Sequence, residues 1–115
     1  PKKILLTSRD HDLKLNFFKD NNFQIFKNTD LTKIIELLKD QDICSILIEA
    51  GPKLANSFLK LGLVDEIITY TSNNKLGDEG VSWLKEKNAI ENYGFKLESS
   101  YKIESDIKEV FKKNG

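Results

Sequence analysis

The stretch Ile46–Ile67, ILIEAGPKLANSFLKLGLVDEI, changes character twice and thereby predicts the fold. It begins as an apolar run, breaks at Gly51-Pro52, continues with apolar residues at helical spacing, and breaks again at Gly62 before a second apolar run. A strand, a helix and a second strand joined by glycine turns form the crossover unit of an α/β protein. The lone carboxylate of Glu49 stands where the first strand is predicted to end.

The residues before the first glycine predict a central parallel strand. ICSILIE, residues 43–49, is rich in β-branched residues and apolar on both faces, which is typical of strands covered on both sides. The next helix is expected to begin at Pro52, because proline suits the first helical position. Its predicted inward side chains are Leu54, Ala55, Phe58 and Leu59. Gly62 is expected to supply a left-handed cap, with Leu63 packing back onto the helix.

The flanking sequence repeats this strand-helix order. Upstream, the predicted elements are a strand at 2–8, a helix at 10–22 with Leu13 and Phe17 one turn apart, and a short strand at 23–26. A second helix carries Leu31, Ile34, Ile35 and Leu38 behind a Thr29 or Asp30 cap. Downstream, VDEIITYTS is the next predicted strand. Successive repeats of this kind indicate an α/β fold with a parallel core and right-handed crossovers.

The pattern changes after residue 71. SNNKLGDEG is polar and predicts an exposed loop, followed by a short helix around 81–85. From Phe95 the chain alternates, and a turn near Glu104-Ser105-Asp106 predicts an antiparallel hairpin that closes the domain. One face of its first strand is expected to hold Phe95, Leu97, Ser99, Tyr101 and Ile103. We interpret residues 1–115 as a single domain.

Composition excludes several classes of function. Lysine and arginine total 18, as do aspartate and glutamate, so a nucleic-acid partner, which favours a basic excess, is not expected. The single cysteine, Cys44, forms no internal disulfide and fits a reducing compartment. No apolar run reaches membrane-span length and no signal-peptide core is recognised, which predicts a cytoplasmic protein. One cysteine and one histidine are too few for an ordinary zinc site.

The strand-to-helix turn at Glu49–Pro52 is the candidate binding site. Ligands in α/β proteins bind beyond the carboxyl ends of parallel strands. Gly51 permits a positive φ or a close backbone approach, and the helix start favours an anion such as phosphate. Lys53 and Ser57 add a charge and a hydroxyl. Because Glu49 would repel phosphate, it is expected to accept hydrogen bonds from a sugar hydroxyl or an amine, so two ligand parts are implied. The alternative is a simple turn glycine beside a solvated glutamate.

Other polar groups favour structural or surface roles. His11 lies between Asp10 and Asp12 with no nucleophile near in sequence, and is expected to be a surface or helix-start residue. The acidic pairs Asp65-Glu66 and Asp78-Glu79 are expected to be solvated, and Trp83 is expected to pack. No catalytic residue is identified.

These motifs resemble a known family. Glu49-Ala50-Gly51-Pro52-Lys53-Leu54-Ala55, then Gly62-Leu63-Val64-Asp65-Glu66, then Lys75-Leu76-Gly77, resemble in order and spacing the carboxy-terminal reductase domain of the bifunctional riboflavin biosynthesis deaminase/reductase. The chain is similar to the carboxy-terminal half of that domain. Ser72 and Asn73 depart from the small residue and proline that the family has before the lysine loop.

The resemblance implies a partial, three-layer dihydrofolate-reductase-like α/β fold and a specific activity. That activity is the NADPH-dependent reduction of 5-amino-6-(5-phosphoribosylamino)uracil to the ribitylamino product. Glu49 would contact the pyrimidine substrate. The cofactor would be held by Gly51, Pro52, Lys53, Leu54, Ala55, Asn56 and Ser57. The resemblance also implies a homo-oligomer, with upstream deaminase and amino-terminal reductase segments if the chain is part of a longer one.

Two alternatives remain open at this point. The 115 residues alone could form a non-catalytic module that self-associates through an open sheet edge. The chain could also be another nucleotide-binding module unrelated to riboflavin. Binding of NADPH without binding of the pyrimidine would favour the latter, and a strict monomer at high concentration would argue against the former.

Overall fold

The structure, a computed structural model, describes residues 2–8, 15–27, 30–72 and 89–113. The chain divides into two compact units, Pro1–Ile46 and Leu47–Gly115. The single domain over residues 1–115 stays a prediction. The predictions that rest on Leu13, Thr29, the 73–80 loop and the 81–85 helix lie outside the described residues.

The amino-terminal unit is built on a pair of parallel strands. Its elements are β1 (Lys3–Thr7), α1 (Asn16–Asp20), β2 (Phe23–Lys27) and α2 (Leu31–Asp40). The strands β1 and β2 pair in parallel from Lys3 opposite Phe23 to Thr7 opposite Lys27. The predicted strand, helix, strand and helix order of this unit is therefore confirmed, and so is the parallel pairing.

Helix α2 has a side-chain cap at its start and a backbone cap at its end. The Asp30 carboxylate accepts hydrogen bonds from the N–H of Thr32 at 2.8 Å and of Lys33 at 3.3 Å, which confirms one of the two predicted caps. Asp42 adopts a left-handed φ of 60°. The N–H of Asp42 donates to the Lys39 carbonyl, and the N–H of Ile43 donates to the Leu38 carbonyl. This is a Schellman motif with aspartate in the usual glycine position. The helix buries Ile34 and Leu38.

The carboxy-terminal unit contains a helix and an antiparallel sheet. Its elements are α3 (Pro52–Lys60), β3 (Glu66–Thr71), α4 (Ala89–Asn92), β4 (Phe95–Ile103) and β5 (Asp106–Lys113). The strands lie in the order β3-β5-β4. The predicted hairpin is confirmed as β4 and β5, which pair from Phe95 opposite Lys113 to Ile103 opposite Asp106. The short helix α4 has no counterpart among the predicted elements, because four residues carry too little periodicity to recognise.

The predicted cap of α3 is confirmed. Gly62 has φ +68°, its N–H donates to the Leu59 carbonyl at 3.1 Å, and the N–H of Leu63 donates to the Phe58 carbonyl at 3.1 Å. These two bonds define a Schellman motif, which uses a residue in the left-handed region after the last helical turn. The helix buries Phe58 and Leu59 as predicted, whereas Leu54 and Ala55 are half-buried.

The predicted central strand at 43–49 is wrong for this structure. Residues 43–50 form neither helix nor strand, and Leu47 is 80% exposed. A central parallel strand needs a hydrogen-bonded neighbour on each side. In the described residues β1 pairs with β2, and β3 and β4 pair with β5, so none of them pairs with this segment. The composition fits a strand, but strand formation depends on the neighbours available.

Two further expectations about the strands are corrected. The strand β3 belongs to the antiparallel sheet and pairs with β5, so the expected parallel core is limited to β1 and β2 in the described residues. In β4 the register shifts between Leu97, which pairs with Phe111, and Ser99, which pairs with Val110. Glu98 is the extra residue of a β-bulge. After the bulge, each side chain of β4 faces the side of the sheet opposite to the one that unbroken alternation predicts. Ser99 therefore lies on the opposite face from Leu97.

Candidate functional site

The candidate site lies at the start of α3, where Gly51 is the N-cap residue. Gly51 has φ −67° and ψ 174°, an extended conformation, and its carbonyl accepts the first helical hydrogen bond, from the Ala55 N–H at 3.1 Å. Pro52 occupies the first helical position, as predicted. The turn from the preceding segment into the helix is therefore made by Gly51, which has no side chain, and Pro52, which has no N–H group.

Two backbone donors at this helix start have no partner within the helix. The N–H groups of Lys53 and Leu54 lie in the first turn, where the ladder offers no acceptor four residues earlier. Gly51 provides no side-chain cap, and the first turn contains no acidic residue. Since the helix dipole is positive at this end, the two donors and the exposed Lys53 ammonium together favour an anionic group.

The space beside Gly51 is open. Among the described residues, a Cβ atom placed on Gly51 would have no heavy atom within 4 Å, its neighbours in the chain apart. Its φ is negative, so the expectation of a positive φ at this position is wrong. Neither backbone conformation nor packing within the described residues therefore requires glycine here. The other expectation, that glycine permits a ligand to approach the backbone closely, is compatible with this geometry.

The side chains of the first turns differ in their availability. Asn56 is buried, and its amide donates to the Pro52 carbonyl at 2.7 Å. The Ser57 hydroxyl donates to the Lys53 carbonyl at 3.0 Å. Both groups bond to carbonyls of their own helix, so each already has a hydrogen-bond partner within the protein. Lys53, by contrast, is exposed.

Glu49 precedes the N-cap by two residues and is exposed. It belongs to the irregular segment 43–50, so no strand pairing holds its carboxylate in place. An exposed carboxylate can accept hydrogen bonds from hydroxyl or amine groups of a ligand. The sequence predicts that the helix start binds an anionic part of a ligand and that Glu49 binds a neutral or cationic part. The order of these residues in the structure is compatible with that prediction.

Of the remaining candidates, the acidic pair Asp65-Glu66 lies within the described residues. Glu66 of the first acidic pair lies 3.8 Å from Lys112 in a cross-strand ion pair, and the Asp65 carbonyl accepts the Lys113 N–H at 3.3 Å. His11, Asp78, Glu79 and Trp83 lie outside the described residues. Within the described part of the chain, no three His, Cys, Asp or Glu side chains come together as a metal site. None of the described helices is long and apolar enough to cross a membrane.

An open depression lies elsewhere, in the amino-terminal unit. It is lined by Lys2, Lys3, Asn21, Asn22 and Gln24. Lys3 is the first residue of β1 and Gln24 is the second residue of β2, so the depression lies at the amino ends of the parallel strands. Ligands of α/β sheets bind at the carboxyl ends, and the depression contains none of the predicted site residues.

Comparison with known proteins gives a consistent set of similarities. Residues 1–108 match the family described as the RibD C-terminal domain. The chain is 36% identical over 96 residues to the riboflavin biosynthesis protein RibD of Buchnera aphidicola subsp. Baizongia pistaciae, covering 77% of this chain and 25% of that protein. It is 29% identical over 104 residues to RibD of Aquifex aeolicus, covering 79% and 29%.

Solved structures show the same likeness at the level of the fold. A structure of Acinetobacter baumannii RibD superposes with a TM-score of 0.75 at 22% identity, covering 100% of this chain and 38% of that one. A second form of the same protein gives 0.74 and 23%. The chain thus spans between 25% and 38% of the length of these RibD proteins.

Proposed function

Because this chain belongs to the RibD C-terminal domain family, we propose that it forms part of an NADPH-dependent reductase of riboflavin biosynthesis. The reaction is the reduction of 5-amino-6-(5-phosphoribosylamino)uracil to the ribitylamino compound. The proposal includes a dihydrofolate-reductase-like layering of the complete domain, a homo-oligomeric assembly and a cytoplasmic location. The curated relatives are named riboflavin biosynthesis proteins.

The observation that carries the proposal is the open, uncapped start of α3. A dinucleotide cofactor carries a pyrophosphate, and the Lys53 and Leu54 N–H groups offer it two donors at the positive end of a helix. In the described part of the chain, no atom other than those of its chain neighbours lies within 4 Å of a Cβ on Gly51, which leaves room for that group to approach the backbone. The residues present therefore fit the cofactor.

The cofactor-binding residues Gly51, Pro52, Lys53, Leu54, Ala55, Asn56 and Ser57 act in two ways in this proposal. Gly51, Lys53 and Leu54 contact the cofactor through backbone groups and the Lys53 ammonium. Asn56 and Ser57 belong to the same helix start, and their side chains donate to the Pro52 and Lys53 carbonyls. Bound NADPH supplies the hydride. The chain's own contribution is to bind and orient, which brings the reacting atoms to a productive distance.

Glu49 binds the substrate in this proposal. Its carboxylate accepts hydrogen bonds from ribose hydroxyls or the pyrimidine amine, while the phosphate of the substrate is kept away by charge repulsion. In the described structure Glu49 lies on a segment without strand pairing. We therefore expect the 115-residue chain alone to bind the pyrimidine weakly and to lack measurable turnover.

Calorimetric titration with NADPH tests this assignment. The Gly51→Asp variant places a carboxylate at the anion site, so binding should weaken at least tenfold. Ser105→Asp, which adds the same charge in the exposed hairpin turn, is the matched control and should bind like the unmodified chain. Equal affinity for Gly51→Asp and the unmodified chain would overturn the cofactor assignment.

A further inference from the structure

The open depression at the amino ends of β1 and β2 has the size and the lining of a small-molecule site. Its volume is about 510 Å³, and pockets that bind small ligands measure about 300–1,000 Å³. Two lysines and three side-chain amides line it, namely Lys2, Lys3, Asn21, Asn22 and Gln24. All five residues are polar and none is acidic, so the lining favours an anionic ligand that also forms hydrogen bonds.

The two lysines of the depression bring positive charge that their contacts leave in place. The Lys2 ammonium donates to the Gln41 side-chain oxygen at 3.4 Å. The Lys3 ammonium lies 5.9 Å from the centre of the Phe23 ring. Both of these contacts are with neutral groups, and both lysines are exposed. Because an ammonium group binds phosphate as a compact point charge, the pair is suited to a phosphate group placed between them.

An exposed aromatic ring lies next to these charges. Phe17 is 62% exposed, and its ring centre lies 5.9 Å from that of Phe23. The Phe23 ring is the one that the Lys3 ammonium contacts, so it lies between the ammonium and the Phe17 ring. Asn21 connects Phe17 to the lining, because its side-chain amide and its N–H donate to the Phe17 carbonyl at 2.7 and 3.2 Å. Exposed aromatic rings beside cations bind nucleotides by stacking on the base.

Two further amides of the lining are suited to the edge of a base. Asn22 is exposed in the turn between α1 and β2, where it adopts a left-handed φ of 57°. Gln24 is half-buried at the second position of β2. The side-chain amide of either residue presents a donor and an acceptor side by side. This arrangement matches the N6 donor and the N7 acceptor of adenine.

We propose that this depression binds an adenine nucleoside monophosphate. The base stacks on Phe17, the phosphate lies between Lys2 and Lys3, and the amide of Asn22 or Gln24 bonds to the edge of the base. A nucleic acid would favour a basic excess, whereas the chain has 18 basic and 18 acidic residues, so a single nucleotide fits the site better. The site uses no residue of the α3 start and does not depend on the proposed function.

Heteronuclear NMR titration of the protein with AMP measures this binding. Because the depression is open and its lysines are exposed, the dissociation constant is expected at about 0.1–1 mM. The amide signals of residues 2, 3, 21, 22 and 24 should shift together along one binding curve. Adenosine lacks the phosphate and ribose 5-phosphate lacks the base, so each should bind at least about tenfold more weakly than AMP.

The variants separate the charge from the aromatic ring. Lys2→Gln and Lys3→Gln should each weaken AMP binding at least about threefold and leave adenosine binding unchanged. Lys33→Gln is the matched control, because Lys33 is an exposed lysine of α2 outside the lining, and should bind AMP like the unmodified protein. Phe17→Leu should weaken AMP and adenosine at least about fivefold and leave ribose 5-phosphate unchanged. Phe17→Tyr keeps a ring and should bind AMP normally.

Three results would overturn the proposal. The first is the absence of AMP binding up to about 10 mM. The second is an equal effect of Lys3→Gln and Lys33→Gln, which would mean that AMP responds only to the charge of the whole chain. The third is a loss of AMP binding in Gly51→Asp with normal binding in Lys3→Gln, which would place AMP at the α3 start. If circular dichroism shows that Phe17→Leu is unfolded, the exposed lysine variants decide.

Discussion

The ammonium group of Lys113 donates a hydrogen bond to the backbone carbonyl of Gly62 at 3.2 Å, which joins the last strand to the end of α3. The Lys113 N–H also donates to the Asp65 carbonyl at 3.3 Å. Its ammonium lies 6.0 Å from the centre of the Phe95 ring. The connection between α3 and β3 is thus held at two points by one residue of β5, and its course depends on the left-handed conformation of Gly62.

Replacing Gly62 with alanine should lower the free energy of unfolding by about 1 kcal/mol. The left-handed conformation costs a residue with a Cβ about 1–2 kcal/mol, and the smaller entropy of the unfolded alanine chain offsets part of this. Steric contact contributes little, because the new Cβ would lie 3.8 Å from the Lys113 ammonium. Urea denaturation monitored by circular dichroism gives the change.

Gly51→Ala is the matched control for that experiment. Gly51 has a negative φ, and no described residue other than its chain neighbours has an atom within 4 Å of a Cβ position, so alanine there should change the free energy of unfolding by less than about 0.5 kcal/mol. Equal losses in the two variants would contradict the assignment of Gly62 as a strained cap.

The hairpin turn offers a stabilising substitution. Glu104 has φ 56°, and it is the first of the two residues between Ile103 and Asp106. A turn with a positive φ at this position favours glycine. Glu104→Gly should therefore raise the free energy of unfolding by up to about 1 kcal/mol. Ser105→Gly, at the second turn position, should lower it or leave it unchanged. A loss of stability in Glu104→Gly measured by thermal unfolding would count against this turn geometry.

Lys112 should titrate above the ordinary range of a lysine. The hydrogen bond and charge of Glu98, and to a smaller extent the charge of Glu66, raise the pKa of Lys112. Because the folded pKa is the higher one, the stabilisation by this ion pair is complete below the pKa of lysine in the unfolded chain. It is lost as the pH rises through the folded pKa. The group is exposed, so added salt should reduce the effect.

Heteronuclear NMR titration of the Lys112 ammonium checks this prediction. Glu98→Gln should move the pKa of Lys112 most of the way back to the ordinary value, and Glu66→Gln should move it less. A larger effect of Glu66→Gln would mean that Lys112 bonds mainly across to β3.

The sequence predicts local features well where they depend on a few adjacent residues. The Asp30 cap, the Pro52 helix start and the Gly62 cap each follow from the conformational preference of one residue, and the structure contains all three. The candidate site at Gly51 belongs to the same class, because a helix start is decided locally.

Features that depend on distant partners could not be predicted in this way. Residues 43–49 have the composition of a buried strand, yet whether they form one depends on strands that would have to lie on both sides. The bulge at Glu98 has a similar origin. Alternation from Phe95 to Ile103 is unbroken in the sequence, and only the pairing with β5 determines where an extra residue is accommodated.

The most direct test of the central claim is a pair of dissociation constants, for NADPH and for the pyrimidine substrate, measured by calorimetry on the protein. Gly51→Ser fills the open space beside the N-cap, so it should weaken NADPH binding at least tenfold and leave pyrimidine affinity unchanged. Glu49→Gln should do the reverse. The account would be contradicted if Gly51→Ser bound NADPH as tightly as the unmodified protein, or if both variants weakened both ligands equally.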